Sequence, residues 1–69
     1  MDKLLKQNIE RIEIKDEVLE ILKDNNITIL NDLCNKKKKD LKEIGIEYPV
    51  INDMELQLEL LGLRFKNSL

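Results

Sequence analysis

The most regular hydrophobic pattern lies near the end of the chain, between a proline and a glycine. Pro49 suits the first turn of a helix and Gly62 suits the left-handed residue that ends one, so residues 49 to 61 are predicted to form the longest helix. At about 100° per residue, one side of this helix collects five apolar residues: Val50, Ile51, Met54, Leu58 and Leu61. This side is predicted to face the core.

Two further leucines, Leu56 and Leu60, lie on nearly the opposite side of the same helix. They are four residues apart, which makes them neighbours on a helix surface. Two explanations are open at this point. The leucines form a docking patch for a partner protein or a second copy of the chain, or an N-terminal segment with Leu4 and Leu5 folds over them.

Three shorter helices are predicted before this long one. The first covers residues 15 to 25, and its broad apolar face has four members: Val18, Leu19, Ile21 and Leu22. Thr28 is the predicted N-cap of a second helix that runs through Leu33. A third helix covers roughly residues 37 to 44, and Gly45 ends it.

The N-terminal residues carry a weaker pattern. Residues 2 to 8 can form a helix, and Ile9, Ile12 and Ile14 follow in a short alternation of apolar and polar positions. Because so short a run has no visible partner strand, we expect an extended strap on the core rather than a strand. These elements together predict an all-α domain over residues 9 to 66, preceded by an N-terminal extension over residues 1 to 8.

Length and composition restrict the chemistry of this domain. The chain has 69 residues, of which 42% are hydrophobic, enough for one small core. It contains no His, no Trp and one Cys, so it lacks the residues for a Cys/His zinc site, a disulfide framework or a His-dependent catalytic triad. We therefore expect no enzyme, no cofactor, no metal ion and no small-molecule substrate. Cys34 is expected to be a small apolar group beside Leu33.

No run of about 18 apolar residues occurs, and Asp2 follows Met1. We accordingly expect no membrane span, no secretory signal peptide and no myristoylation site. A single cysteine fits a reducing compartment, so the expected location is the cytoplasm.

The net charge of −2 is divided unevenly along the chain. The helix over residues 15 to 25 has an acidic side: Asp16, Glu17, Glu20 and Asp24. This side is a docking site for a basic protein surface, an imitation of the charge of DNA, or an ordinary solvated helix face.

The most concentrated basic segment is a lysine run of four residues: Lys36, Lys37, Lys38 and Lys39. It either contacts a polyanion such as DNA or forms a solvated connector whose lysines pair with Asp32 or Asp40. We prefer the connector, because four lysines with no aromatic residue among them are few for binding at cellular salt.

Three sequence segments occur in a recognisable order: NITILNDL at residues 26 to 33, KDLKEIG at residues 39 to 45 and LLGL at residues 60 to 63. In this order and spacing the chain resembles the C-terminal domain of the bacterial RNA polymerase α subunit from about residue 9 to residue 65. The resemblance implies a compact four-helix domain with helix-hairpin-helix-like units. It also implies a family that binds upstream promoter DNA and contacts transcription factors.

The chain departs from that family at the positions that bind DNA. Glu17 stands where the family has an arginine, and Glu20 stands where it has an asparagine. Gly45 is kept, but the lysines and serine that follow it in the family are replaced here: Tyr48, Pro49 and Val50. Because DNA affinity comes largely from neutralising phosphates with Lys or Arg, we expect the DNA-binding surface to be lost.

These observations predict a non-enzymatic protein-interaction module that acts in transcription by contacting RNA polymerase, a sigma or transcription factor, or a second copy of itself. Its candidate interaction residues are Leu56, Leu60, Glu17 and Glu20. The alternative function is weak DNA binding through the lysine run and the hairpin at Gly45.

Overall fold

The computed structural model describes residues 3 to 66, which form four α-helices joined by short turns. The helices are α1 (Asp16–Asp24), α2 (Leu30–Cys34), α3 (Lys38–Glu43) and α4 (Tyr48–Leu60). Two 3-10 turns, Leu4–Lys6 and Ile9–Arg11, precede α1. This part of the chain contains no β-strand, and the all-α prediction is confirmed.

One hydrophobic core joins all of these elements. Its buried members are Ile9, Ile12, Val18, Leu22, Ile27, Leu30, Leu33, Leu41, Ile46, Ile51, Met54, Leu58 and Phe65. The helices have only 5 to 13 residues, and isolated helices of such lengths are unstable in water. Burial of these side chains against one another therefore holds the helices in place.

Three of the four helices end in the same Schellman arrangement. At the end of α4, Gly62 has φ +80°, its N–H donates to the Glu59 carbonyl (2.9 Å), and the Leu63 N–H donates to the Leu58 carbonyl (2.8 Å). Gly45 at φ +109° does the same for α3, and Asn26 at φ +62° does so for α1. The next residue packs inward each time, so each stop also adds an apolar side chain to the core or its edge: Ile27, Ile46 and Leu63.

The predicted boundaries of α1, α3 and α4 are correct to within one residue, but the predicted cap of α2 is wrong. Thr28 is not the N-cap; Ile29 is, and its N–H donates to the Asp32 carboxylate at 3.3 Å. The cause is a contact from outside the helix: the Thr28 carbonyl accepts a hydrogen bond from the Ile9 N–H at 3.1 Å. This hydrogen bond and that of the Leu30 N–H to the Gln7 carbonyl flank an isolated antiparallel β-bridge between Asn8 and Ile29.

The N-terminal segment differs from its prediction in two respects. Only residues Leu4–Lys6 of the predicted first helix form a 3-10 turn, and Asp2 lies outside the described residues. The strap is not extended from its start, because Ile9–Arg11 forms a second 3-10 turn whose Glu10 N–H is capped by the Asn8 side chain at 2.8 Å. Extended backbone begins only after this turn, at residue 12.

Candidate interaction surfaces

The outer side of α4 leaves its two leucines open to solvent. Leu56 is 58% exposed and Leu60 is 81% exposed. The explanation that Leu4 and Leu5 cover them is wrong, because the N-terminal segment packs on α2, where the Leu30 N–H donates to the Gln7 carbonyl at 2.8 Å. The leucine pair is thus uncovered in the described part of the chain.

The leucines belong to a longer exposed row that we call the outer stripe: Pro49, Asp53, Leu56 and Leu60. Asp53 follows Pro49 by four residues, Leu56 follows Asp53 by three, and Leu60 follows Leu56 by four. An alternation of three and four is the spacing of a coiled-coil seam. Only the two leucines were predicted to form a docking patch, although the same spacing includes Pro49 and Asp53.

The charges around the outer stripe are acidic. Counted from its N-cap Glu47, α4 carries four carboxylates and no basic residue. Two of them form ion pairs with lysines of α3: Glu47 with Lys42 and Glu55 with Lys38. Asp53 and Glu59 have no cationic partner among residues 3 to 66, and Asp53 accepts only a hydrogen bond from the Gln57 amide at 3.2 Å. The stripe is therefore a largely apolar row with one uncompensated carboxylate within it, Asp53, and another beside it, Glu59.

A cleft of about 240 Å³ lies beside the N-terminal half of α4. Its apolar lining comes from Ile14, Val50 and Met54, and the outer-stripe residues Pro49 and Asp53 form one rim. The cleft is smaller than the roughly 300–1,000 Å³ of pockets that hold drug-sized ligands. Its size and lining suit an apolar side chain rather than a cofactor, and its shared rim makes it continuous with the outer stripe.

The other wall of the cleft is fixed by a side chain that imitates a strand partner. The Gln57 Oε1 accepts a hydrogen bond from the Glu13 N–H at 2.7 Å, and the Gln57 Nε2 donates to the Glu13 carbonyl at 2.9 Å. These two bonds join residues 44 positions apart in the chain. They hold residues 13 to 15, which line the cleft, alongside α4.

The acidic side of α1 is displayed to solvent, as predicted. Glu17 and Glu20 are both exposed, and neither forms an ion pair within the described range 3–66. Asp16 and Glu17 also occupy the first turn of α1, where a negative charge interacts favourably with the positive end of the helix dipole. Part of this acidity thus has a local structural role.

Among residues 3 to 66, one ammonium of the lysine run, that of Lys38, forms an ion pair within the fold. The Lys37 N–H donates to the Asp40 carboxylate at 3.0 Å, and the Lys38 ammonium pairs with Glu55 of α4 at 2.6 Å. Of the run, only Lys39 is exposed, and the others are half-buried. The expected ammonium pairs with Asp32 or Asp40 are not formed, because those carboxylates accept hydrogen bonds from backbone N–H groups instead.

The turn at Gly45 does not gather positive charge. The nearby Lys42 ammonium pairs with Glu47 at 2.8 Å and lies 5.7 Å from the centre of the Tyr48 ring. A phosphate at this turn would meet the Glu47 carboxylate, and Pro49 has no N–H to donate to it.

Cys34 is half-buried at the end of α2. Burial raises the pKa of its thiol above the ordinary value, and a hydrogen bond with the Arg64 backbone opposes part of that shift. The thiol is therefore neutral at neutral pH and is not activated as a nucleophile.

Over residues 3 to 66, no group of three or more His, Cys, Asp or Glu side chains is arranged to hold a metal ion. No helix in the same range has the length and apolar character needed to cross a membrane. In comparisons with known proteins, no protein-family model matches the chain, and no curated protein shows significant similarity to it.

Proposed function

We propose that this chain is a small non-enzymatic protein-interaction module that docks on its partner through the outer stripe of α4. The observation that carries the proposal is the exposure of Leu56 and Leu60 beside a preformed apolar cleft. Full burial of a leucine side chain contributes about 1.5–3 kcal/mol. Covering the exposed 58% and 81% of these two would therefore contribute about 2–4 kcal/mol to binding.

The proposal places this docking in transcription and in the cytoplasm, with RNA polymerase, a sigma factor or a transcription factor as the partner. Its support is the resemblance of the segments NITILNDL, KDLKEIG and LLGL to the C-terminal domain of the RNA polymerase α subunit. The all-α arrangement of four short helices is compatible with that domain type.

The proposal also holds that the DNA-binding role of the resembled family is lost. Two observations support this loss. Glu17 and Glu20 face solvent and form no ion pair with any residue from 3 to 66, and at the turn at Gly45 the Lys42 ammonium is paired with Glu47. The lysine run offers the alternative of weak DNA binding, but its Lys38 is paired with Glu55 and only Lys39 is exposed.

The proposal is tested by cross-linking the full chain in extract of its native cell and identifying the captured proteins by mass spectrometry. The double variant Leu56→Gln/Leu60→Gln removes the apolar stripe without adding charge. Glu17→Gln/Glu20→Gln is the matched control, because it also changes two exposed helix residues but on α1. We expect capture of a specific protein by the wild type and the control, and its loss with the leucine variant.

Equal capture by the leucine variant would contradict docking through α4. Loss of capture with the α1 control alone would indicate that the partner docks on the acidic side of α1 instead. DNA binding is measured separately by titrating duplex DNA at low and physiological salt. Tight binding at physiological salt that disappears when Lys39 and its neighbours in the run are changed to Gln would replace the proposal with its alternative.

A further inference from the structure

We infer that the outer stripe and its cleft receive an amphipathic helix of the partner, with a lysine or arginine of that helix opposite Asp53. This inference rests on the proposed docking role of α4 and adds the chemistry of the partner. The spacing of the stripe, its charges and the position of the cleft all favour such a partner.

The spacing favours a helix as the partner element. Pro49, Asp53, Leu56 and Leu60 follow one line along α4. Leu60 comes eleven residues after Pro49, so at 1.5 Å per residue the line is about 16.5 Å long. A narrow seam with this alternation packs against a second helix at a shallow crossing angle. An added strand is not suited to this surface, because the backbone N–H and carbonyl groups along the middle of α4 are already bonded within the helix.

The charges favour a basic partner. Asp53 lies within the stripe, so a docked helix removes its carboxylate from water, which is costly unless a cation compensates it. Glu59 is three residues after Leu56 and Glu13 lines the cleft, so exposed carboxylates lie on both sides of the stripe. Lys15 is the one basic residue at the rim of the cleft. The surface as a whole remains negative and complements lysine or arginine.

The same charges disfavour a second copy of the chain. If two α4 helices pair in parallel, Asp53 faces Asp53. If they pair antiparallel about the middle of the stripe, Asp53 faces a leucine. Neither arrangement places a cation of α4 opposite Asp53, since α4 and its N-cap contain four carboxylates and no basic residue. Like charges across an interface work against association.

The cleft adds an anchor point for the same helix. Val50 and Met54 in its apolar lining lie six residues before Leu56 and Leu60 along α4, which is one residue short of a heptad. Seven residues of helix span about 10 Å, so two apolar residues seven apart on the partner reach both the cleft and the leucines. The Gln57 hydrogen bonds to Glu13 keep this cleft formed before the partner arrives.

The inference is tested with three fluorescent synthetic peptides of equal length and helix content. The first has a leucine face flanked by lysines, the second has glutamates in place of the lysines, and the third has the composition of the first with its leucine face scrambled. Binding to the full chain is measured by fluorescence anisotropy at physiological salt. We expect saturable binding of the first peptide only, weakened at least tenfold by Leu56→Gln/Leu60→Gln.

Charge exchange makes the test specific to Asp53. Asp53→Lys is expected to weaken the lysine peptide about tenfold and to permit binding of the glutamate peptide. Glu43→Lys, the same charge change at an exposed position of α3, is the control and should leave the affinity unchanged. Equal binding of the lysine and glutamate peptides, or binding that Asp53→Lys does not alter, would overturn the inference.

Two further outcomes separate this inference from the proposed function. Binding of no peptide overturns the helical partner, and sedimentation that shows self-association abolished by Leu56→Gln/Leu60→Gln overturns it in favour of a second copy. Docking through α4 remains supported in either case if capture of the cross-linked protein, or self-association, is still lost in Leu56→Gln/Leu60→Gln. If nothing depends on them, both the proposed function and the inference fail.

Discussion

Three leucines of α4 have the same chemistry but opposite environments, and alanine substitution is expected to separate them. Leu58 is 0% exposed, whereas Leu60, two residues later, is 81% exposed. Leu58→Ala leaves a cavity in the core and is expected to lower the free energy of unfolding by about 2–5 kcal/mol. Leu60→Ala removes little buried area, so its effect is expected to stay within about 0.5 kcal/mol. Leu56, at 58% exposure, should lie between these values and closer to Leu60.

The size of the domain makes this contrast easy to measure. At about 0.05–0.15 kcal/mol per residue, a chain of 69 residues is stable by roughly 3–10 kcal/mol. Leu58→Ala alone therefore removes a large part of the total and can leave the chain partly unfolded. The assay is urea denaturation followed by far-UV circular dichroism, with each variant measured at two protein concentrations.

A large loss of stability in Leu60→Ala would contradict the exposure of this side chain. A loss of more than about 1.5 kcal/mol in Leu60→Ala would mean that Leu60 is covered in solution, since exposed substitutions rarely cost so much. If that loss increases with protein concentration, the cover is a second copy of the chain. If it does not, the cover comes from the chain itself, and α4 has no free outer stripe.

Three other predictions follow from single contacts. Gln57→Ala removes both hydrogen bonds to the Glu13 backbone and should lower the free energy of unfolding, measured by urea denaturation, by about 1–3 kcal/mol. An unchanged value would contradict the role of Gln57 in fixing residues 13 to 15. Gly45→Ala puts a side chain at φ +109° and should lower the free energy of unfolding by about 1–3 kcal/mol, although the space around the added Cβ is open. Gly62→Ala, at φ +80°, should lower it less, and the reverse order in thermal melts would show that the turn at Gly45 relaxes. The raised pKa of Cys34 predicts that iodoacetamide alkylates the folded chain more slowly than an unfolded cysteine peptide at mildly alkaline pH, and that the two rates become equal in urea. Equal rates without urea would contradict the burial of this thiol.

The helices were predictable because their signals are local. The bounds of α4 and its buried face follow from Pro49, Gly62 and a periodicity that involves only residues three or four apart. The end of α3 at Gly45 follows from a backbone conformation that glycine adopts most easily. Such signals depend on neighbours within a single helical turn, so the sequence alone is sufficient to place them.

The tertiary structure decided the features that depend on residues far apart in the chain. It moved the cap of α2 from Thr28 to Ile29, because the Ile9 N–H bonds to the Thr28 carbonyl, and it paired Lys38 with Glu55 rather than with a nearby acid.

The surface proposed to bind a partner illustrates the same division. The positions of Leu56 and Leu60 on the outer side of α4 were fixed by the sequence, because periodicity assigns each residue to a side of its own helix. Whether that side is covered was decided only when the N-terminal segment packed on α2 and left it open. Periodicity carries no information about which other segment packs against a given side, and that depends on the packing of the whole chain.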